Sequence, residues 1–433
     1  MAKRITRRQP HLALRLFVTA LLVGVTVAAY SNAVGNISLN ANKPDDAYGR
    51  VGLGLFPAGR IADGYLVDQQ NLAALPEAAR LARLSLEAQT LNPQALRVIG
   101  VAADHEGHGQ QALALIEMSD RLSRRDLGTQ LWLVNHHALL NDAGEALRHY
   151  DTAMRASAEI QPVLFPILQH ALGVKEIRAA FAPYVRGNAP WLTNFIAFQV
   201  SSSADPSNVA LAIIDAKGLP SQPDSYRGQE SQLLAQLSNT KHFDTLRAFF
   251  ASLRGAQPES LTSAAFLPAL IDEHYQPVSW KISEAAAISS AFEDDPQSAQ
   301  KQFHVMAGTG EHGVAASKLL LLPSGHYRIA SPITFLRHGT GSALTWSIKC
   351  ATTNSELQHN DVGSALRTAA LEFDVAKDCP AQILDLVVSG GDPVDGSEAY
   401  VHAVTLTRLG DALPPKVKPN QAPPAITRTP TLF

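Results

Sequence analysis

The hydrophobic pattern of the chain changes its period once, near residue 277. Between about residues 72 and 275, apolar side chains recur every three to four positions and Gly or Pro punctuates the pattern, which is typical of short helices. Beyond residue 277, apolar and polar positions alternate while Val, Thr, Ile and Tyr become frequent, which is typical of strands. The change predicts a multidomain chain that is helical first and β second.

The helical part repeats its register every 34 residues. Ala78, Ala112 and Ala146 follow one another at this interval, and Gly100 precedes Ala112 by twelve residues. Small residues at such positions let two antiparallel helices approach closely. The spacing resembles the tetratricopeptide repeat, a helix–turn–helix unit that stacks into a solenoid. The resemblance covers roughly residues 72–160, which is two full units and a preceding helix.

The chain departs from the tetratricopeptide pattern at several positions. Leu96 and Gln130 stand where the family has Trp, and Arg124 and Ala158 stand where it has a helix-ending Pro. Because about three repeats are needed for stability, neighbouring helices must complete the solenoid. Residues 161–275 keep helical spacing but lose the 34-residue register. They predict irregular helical pairs that continue the solenoid, with an independent helical bundle as the alternative.

The tetratricopeptide resemblance also implies a binding groove. In that family the first helix of each pair lines a concave surface that holds an extended peptide. The corresponding positions here are Arg97, Asp104, His105 and Asn135. Their side chains would hydrogen-bond a protein partner, and an ordinary solvated helix face is the alternative interpretation.

The second part of the chain predicts a β-sandwich. Seven or more short strands separated by Gly-containing turns fall within about 130 residues. The runs LLLLPSGHYRI, LTWSIKC and FDVAKDCPAQILDLVV resemble a galactose-binding-like jelly roll, a fold shared by many carbohydrate-binding modules. The resemblance implies a glycan as a second partner, with Tyr327, Arg328 and Tyr400 as the candidate contacts. For the two tyrosines, a position in the core is the alternative. Trp346 alternates in phase with apolar neighbours and is predicted to lie in the core.

Cys350 and Cys379 are the two cysteines of the chain, 29 residues apart. Each ends or follows a predicted strand. In an oxidising compartment they are expected to form a disulfide, with two buried free thiols as the alternative. Closing a loop of this length would contribute about 3 kcal/mol to stability.

The N-terminal region predicts export. Five basic residues precede or begin an apolar stretch, of which residues 16–30 carry no charge. This pattern predicts a single-pass inner-membrane helix over residues 12–33, with the N-terminus in the cytoplasm and the bulk in the periplasm. The rival interpretation is a cleaved signal peptide, which leaves a secreted or periplasmic protein.

These patterns together divide the chain into five parts. The predicted domains are a membrane anchor or signal peptide (1–33), a linker (34–71), a tetratricopeptide-like helical solenoid (72–275), a β-sandwich (276–411) and a Pro-rich disordered tail (412–433).

Composition and motifs exclude several function classes. With 36 basic and 39 acidic side chains, the net charge of −3 argues against a nucleic-acid partner. The run from His105 to His108 has one residue where the zinc-protease motif has two, and the adjacent His136 and His137 point about 100° apart on a helix. We find no nucleophile–base pair, metal cluster or cofactor loop in the sequence. It therefore predicts a non-enzymatic protein with no cofactor and no metal.

The function predicted first is a membrane-tethered periplasmic scaffold. Its solenoid would bind a partner protein and its sandwich a glycan, in the assembly or export of a surface polysaccharide. Two alternatives remain open at this stage. One is a polysaccharide-acting hydrolase or lyase with carboxylates at the junction of the two parts, and the other is a purely structural adaptor for protein complexes.

Overall fold

The computed structural model describes residues 74–412, except 89, 203–204, 222–224, 284–286, 297–299, 363–367 and 392–395. In this part of the chain, eleven α-helices precede eleven β-strands, which confirms the predicted order of helical and β regions. The predicted membrane segment, the linker up to residue 73 and the tail from residue 413 lie outside the described residues. Within the described residues, none of the helices has the length and apolar composition needed to cross a bilayer.

The helix boundaries repeat at the predicted interval. The helices are α1 (Leu75–Ala88), α2 (Pro93–His105), α3 (Gly109–Leu122), α4 (Leu127–Leu139), α5 (Ala143–Ala156), α6 (Gln161–Ala171), α7 (Lys175–Arg186), α8 (Leu192–Ser201), α9 (Ser207–Asp215), α10 (Ser225–Asn239) and α11 (Phe243–Ser252). The first residues of α2, α4 and α6 are spaced by 34 positions, as are those of α1, α3 and α5. The spacing therefore extends one helix beyond the region in which the sequence pattern shows it.

Small residues bring neighbouring helices together, as the sequence predicts. Ala78 and Ala112 are fully buried. A Cβ atom at Gly100 would lie 2.9 Å from the Ile116 side chain, so α2 and α3 pack at a distance that glycine permits. Asn92 caps α2 by accepting a hydrogen bond from the backbone N–H of Ala95 at 3.1 Å. Local capping and close packing together define each helical pair.

The chain divides into two compact units. The first contains the described residues up to Phe181 together with Ala189–Trp191, and the second contains Ala182–Asn188 and the residues from Leu192 onward. Helices α8 to α11 therefore belong to the same unit as all the strands. Within the second unit, the Lys241 ammonium group donates to the carbonyl oxygen of Thr352 at 2.6 Å. The predicted domain boundaries stay predictions.

The strands of the second unit form two antiparallel sheets. They are β1 (Lys281–Ile282), β2 (Ile288–Asp294), β3 (Lys301–Ala307), β4 (His312–Leu320), β5 (Gly325–His338), β6 (Ser342–Cys350), β7 (Glu356–Val362), β8 (Thr368–Val375), β9 (Gln382–Gly390), β10 (Ser397–Val401) and β11 (Thr405–Gly410). One sheet has the order β1-β4-β9-β6-β7. The other has the order β11-β5-β10-β3-β2, with β8 also paired to β5. Trp280, Phe303 and Trp346 are buried in the common core, which confirms a β-sandwich and the predicted position of Trp346.

One lysine is fully buried in the sandwich. Lys318 lies on β4 with 1% of its surface exposed, and its ammonium nitrogen donates a hydrogen bond to the carbonyl oxygen of Val278. Burial disfavours the charged form and lowers the pKa of Lys318 to about 7. The unfolded chain, whose lysine keeps a pKa near 10.4, therefore binds more protons than the folded chain between these two values.

This difference predicts how stability depends on pH. The free energy of unfolding should rise by about 2 kcal/mol between pH 7 and pH 9 from Lys318 alone, because stability rises wherever the unfolded state binds more protons. The Lys318→Met variant should lack this part of the rise. Urea unfolding at the two pH values measures it. Lys281→Met, which changes an exposed lysine on the adjacent strand β1, is the control and should keep the wild-type rise. Equal rises in wild type and Lys318→Met would contradict the prediction.

Candidate functional site

The outer face of the six-stranded sheet carries the candidate site. Strand β10 lies between β3 and β5 and is therefore central in this sheet. Successive side chains of a strand point to opposite faces. Ala399 and Val401 are buried in the core, so Glu398 and Tyr400 point outward.

Cross-strand neighbours surround Tyr400. Its register partners are His304 on β3 and Thr334 on β5. The rings of Tyr400 and His304 have centroids 4.8 Å apart and planes inclined by 30°. An aromatic side chain thus lies half-buried on a sheet face with a hydroxyl group and an imidazole beside it.

Two carboxylates hold the imidazole of His304, and a guanidinium holds one of these carboxylates. His304 Nε2 lies 3.1 Å from an oxygen of Glu398, and His304 Nδ1 lies 3.5 Å from an oxygen of Glu293 on β2. The other oxygen of Glu398 lies 3.7 Å from Arg337 on β5. We name this set the Tyr400 face, and its members are Tyr400, His304, Glu293, Glu398, Arg337 and Thr334.

The Tyr400 face continues toward a second histidine. His402 Nε2 lies 3.0 Å from the Thr334 hydroxyl oxygen, and His402 Nδ1 lies 3.4 Å from a carboxylate oxygen of the buried Asp295. The ring centroids of Tyr400 and His402 are 6.5 Å apart. Asp295 therefore orients His402, which in turn positions the hydroxyl group beside Tyr400.

The surroundings of Tyr400 keep its phenol protonated. Desolvation raises the pKa of Tyr400, as do the negative charge of Glu293, a hydrogen bond to that carboxylate and the charge of Glu398. At neutral pH the hydroxyl group is therefore a hydrogen-bond donor. The neighbouring carboxylates are acceptors, and Arg337 is a donor.

The Tyr400 face combines the features needed to bind a polyhydroxylated ligand. A ligand site needs apolar or aromatic surface together with a few placed polar groups that fix orientation. Here the aromatic surface is the Tyr400 ring, and two apolar side chains of the same sheet, Met306 and Leu336, are 39% and 54% exposed. The charged groups around the ring are the carboxylates Glu293 and Glu398 and the guanidinium of Arg337.

The structure corrects the prediction for Tyr327. Its side chain points inward from β5, with 4% of its surface exposed, and its ring stacks on Phe373 at a centroid distance of 5.8 Å. Its hydroxyl group donates to the carbonyl oxygen of Pro323 at 2.8 Å. Tyr327 is therefore a core residue, because the alternation of β5 places odd-numbered positions here toward the second sheet.

Arg328 is exposed on β5, but the structure does not bring it to Tyr400. Its position lies six residues from Thr334, which corresponds to about 20 Å along a strand. Among the three predicted glycan contacts, Tyr400 alone belongs to the Tyr400 face.

Of the predicted groove residues, Arg97 lies inside the helical packing. Its Nε atom donates to the Asp126 carboxylate at 2.8 Å, and the two side chains are 8% and 9% exposed. A Cβ atom at Gly128 would lie 2.7 Å from the guanidinium, so glycine makes the room that it needs. This corrects the prediction that Arg97 contacts a peptide, because such a contact would first have to break a buried ion pair.

The other three predicted groove residues are exposed. Asp104 and His105 lie at the end of α2, and Asn135 lies on α4. Asp104 accepts a hydrogen bond from the indole N–H of Trp132 at 3.1 Å, which links α2 to α4. A role in binding a peptide stays a prediction for these three residues.

The predicted disulfide is confirmed. Cys350 ends β6, and Cys379 lies between β8 and β9. Their sulfur atoms are bonded, and their Cα atoms are 5.7 Å apart. The bond ties β6, an inner strand of the five-stranded sheet, to the segment that leads into β9.

Sequence reasoning missed most of the Tyr400 face. Glu293 and His304 lie on β2 and β3, which were not predicted as strands, and Glu398 and Arg337 were not singled out. A usable signal was present in residues 301–307, KQFHVMA, where Phe303 and Val305 alternate with polar neighbours.

Comparisons with known proteins give distant matches of solved structures. No family model and no curated protein matches the chain. TmCBM61 in complex with β-1,4-galactotriose is 15% identical, covering 34% of this chain and 99% of that chain at a TM-score of 0.25. The CBM22-1 xylan-binding domain from Paenibacillus barcinonensis Xyn10C is 10% identical, covering 31% and 87% at a TM-score of 0.22. The enzymatically active domain of bacteriophage CBA120 tailspike protein 4 is 10% identical, covering 30% and 19% at a TM-score of 0.23. Identities and TM-scores this low support no inference about function.

Proposed function

We propose that this chain is a non-enzymatic binding protein whose sandwich holds a neutral glycan on the Tyr400 face. The observation that carries the proposal is an outward aromatic ring surrounded by oriented hydrogen-bonding groups. One side of a sugar ring presents C–H groups that pack on an aromatic ring, while its rim presents hydroxyl groups that both donate and accept. The Tyr400 ring matches the first requirement, and Glu398 and Arg337 match the second.

The Tyr400 face is ordered before a ligand arrives. One oxygen of Glu398 interacts with His304 and the other with Arg337, so the carboxylate has few orientations available. A group that is already held in place loses little conformational entropy on binding, which favours affinity. Weak sugar–protein contacts benefit most from such preorganisation.

Charge supports a neutral glycan as the ligand. Glu293 and Glu398 lie on both sides of His304, and Glu398 also lies 3.7 Å from the guanidinium of Arg337. A polymer of uronic acids would bring further carboxylates against this pair, and like charges repel. Neutral hexose or pentose polymers incur no such cost.

The protonation state of Tyr400 supports binding over elimination chemistry. A lyase needs a base that removes a proton from carbon, and a phenolate can serve as one. Because burial and the carboxylates Glu293 and Glu398 raise the pKa of Tyr400, its phenolate is scarce at neutral pH. The hydroxyl group, whose proton is donated to Glu293, is suited to accepting a hydrogen bond from a sugar hydroxyl group.

The proposal includes a location and a second partner. The disulfide between Cys350 and Cys379 suits an oxidising compartment, and the basic and apolar N-terminal sequence suits export. We place the chain on the outer side of the inner membrane as a tethered scaffold. Its 34-residue helical pairs, which resemble tetratricopeptide repeats, would hold a protein, and the complex would serve assembly or export of a surface polysaccharide.

The test is glycan binding by the full chain. An array of neutral and acidic glycans identifies ligands, and calorimetry measures their dissociation constants. We expect neutral glycans to bind and Tyr400→Ala to weaken binding at least about tenfold, as for aromatic residues at the centre of other interfaces. Arg328→Ala changes an exposed residue about 20 Å away along the strand and should leave the affinity unchanged.

Three outcomes would overturn this proposal. Absence of binding to every glycan would leave a protein adaptor. An equal affinity of Tyr400→Ala and wild type would place the glycan elsewhere on the chain. If chromatography showed that shorter sugars were released from the bound glycan, the protein would be an enzyme.

A further inference from the structure

A cluster of potential metal ligands lies in the first unit, far in sequence from the sandwich. His137, Glu145 and His149 each offer one ligand atom, and these atoms lie within 4.8 Å of one another. His137 lies in the last turn of α4. Glu145 and His149 are four residues apart on α5 and therefore share one face of that helix.

Hydrogen bonds orient His149. Gln130 donates from its amide nitrogen to the Asp120 carboxylate at 2.6 Å, so its amide oxygen faces His149 Nδ1 at 2.8 Å. His149 Nδ1 must then carry the proton, and the Nε2 lone pair accepts a hydrogen bond from the Arg148 guanidinium at 2.7 Å. A partner on the remote nitrogen is what fixes the ring of a metal-binding histidine.

A cationic group already occupies the space between two of these ligands. The Arg148 guanidinium lies 2.7 Å from His149 Nε2 and 2.7 Å from a carboxylate oxygen of Glu145. Its side chain is 48% exposed, so it can turn away into solvent without breaking the core. The site therefore attracts positive charge, and an incoming cation can displace the Arg148 guanidinium that now occupies it.

The third ligand has an unsatisfied nitrogen. His137 Nδ1 is buried and has no hydrogen-bond partner among the described residues. Its ring faces that of His149, with centroids 5.5 Å apart. Buried polar atoms are normally paired, and an orphaned one calls for an explanation such as an ion.

We propose that His137, Glu145 and His149 bind a divalent transition-metal ion of the Zn²⁺ class, which displaces Arg148. Two imidazoles and a carboxylate are ligands that zinc accepts, and a water molecule would complete the tetrahedron. With bonds of about 2.0–2.2 Å, tetrahedral ligand atoms lie about 3.4 Å apart. Because the three ligand atoms now lie within 4.8 Å of one another, no pair has to approach by more than about 1.4 Å on binding. Release of the Glu145 carboxylate from Arg148 permits this contraction. The metal would join α4 to α5.

The experiment is a Zn²⁺ titration of the full chain in competition with a chromogenic chelator. We expect one ion per chain at this site, and a loss of more than about 100-fold in affinity in His149→Ala, because even outer partners of a ligand contribute roughly 10–100-fold. Arg148→Gln should bind Zn²⁺ more tightly than wild type, since the competing cation is gone. His136→Ala changes the neighbouring histidine on α4 and is the matched control, with wild-type affinity expected.

Stability provides a second readout. Zn²⁺ should raise the unfolding temperature of wild type and not that of Glu145→Gln, a variant of a side chain that is 44% exposed and can be changed without disturbing the core. Glu145→Gln also replaces His149→Ala in the Zn²⁺ titration if His149→Ala does not fold. Equal Zn²⁺ affinity in wild type and Glu145→Gln would overturn the proposal. The proposal would also be overturned if Arg148→Gln bound Zn²⁺ more weakly than wild type, or if His136→Ala lost as much Zn²⁺ affinity as His149→Ala.

Discussion

Replacing Arg97 with Met should destabilise the first unit by about 3–5 kcal/mol, because it leaves the buried Asp126 carboxylate without its cationic partner. The Asp126 oxygen that accepts from Arg97 also accepts a hydrogen bond from the Thr129 hydroxyl at 2.7 Å. The hydroxyl oxygens of Thr129 and Ser119 are hydrogen-bonded to each other at 2.7 Å. The network joins α2, α3 and α4, so its loss should weaken all three helices together. Hydrogen exchange of their backbone amides measures this loss as faster exchange.

The control is the same substitution in an exposed ion pair. Arg80 contacts Glu77 at 2.6 Å on α1, and the two side chains are 54% and 52% exposed. Arg80→Met should change the free energy of unfolding far less than Arg97→Met does, since water screens such exposed pairs. Equal effects of Arg97→Met and Arg80→Met would contradict the assignment of Arg97 to the core. The double variant Arg97→Met with Asp126→Leu should lose less stability than Arg97→Met, because no buried charge remains unpaired.

Removing the disulfide should destabilise the second unit by about 3–4 kcal/mol. The bond closes a segment of 29 residues, and without it the unfolded chain gains the conformational freedom that the closed loop denies it. Both cysteines are almost fully buried, so alanine is a better replacement than serine, which would bury a hydroxyl group. Urea unfolding of the Cys350→Ala, Cys379→Ala variant measures the effect.

A reducing agent provides the matched control for the disulfide. It should lower the stability of wild type toward that of the double alanine variant, and it should leave the variant itself unchanged. If the reductant shifts both proteins equally, its action is not through the Cys350–Cys379 bond. If it shifts neither and the variant is as stable as wild type, the bond contributes nothing measurable.

The 34-residue repeat was readable because it depends on local geometry. Small residues such as Ala78, Ala112 and Gly100 recur where adjacent helices touch. In a repeat protein each helix packs against helices that are also its neighbours in sequence. The same pattern predicted the wrong environment for Arg97. A groove position is inferred from the face of one helix, whereas Asp126 approaches that face from the start of α4, 29 residues later.

The Tyr400 face shows the opposite situation. Tyr400 was identified from its strand, but its neighbours come from β2, β3 and β5, at sequence separations of roughly 60 to 107 residues. Tyr327 looked equivalent to Tyr400 in the sequence, and the alternation of β5 turned it inward. The His137 cluster is similar, since two adjacent histidines gave no reason to expect Glu145 beside one of them.

The order of helical and β regions, the spacing of the helical pairs and the pairing of Cys350 with Cys379 could be predicted from the amino-acid sequence. These properties follow from side-chain periodicity and covalent chemistry, which operate over short stretches or between the two cysteines that the chain contains. Which polar side chains contact one another at the Tyr400 face and around His149 became clear only from the folded chain. Strand order and helix packing set those contacts, and they minimise the free energy of the whole unit, so no single segment encodes them.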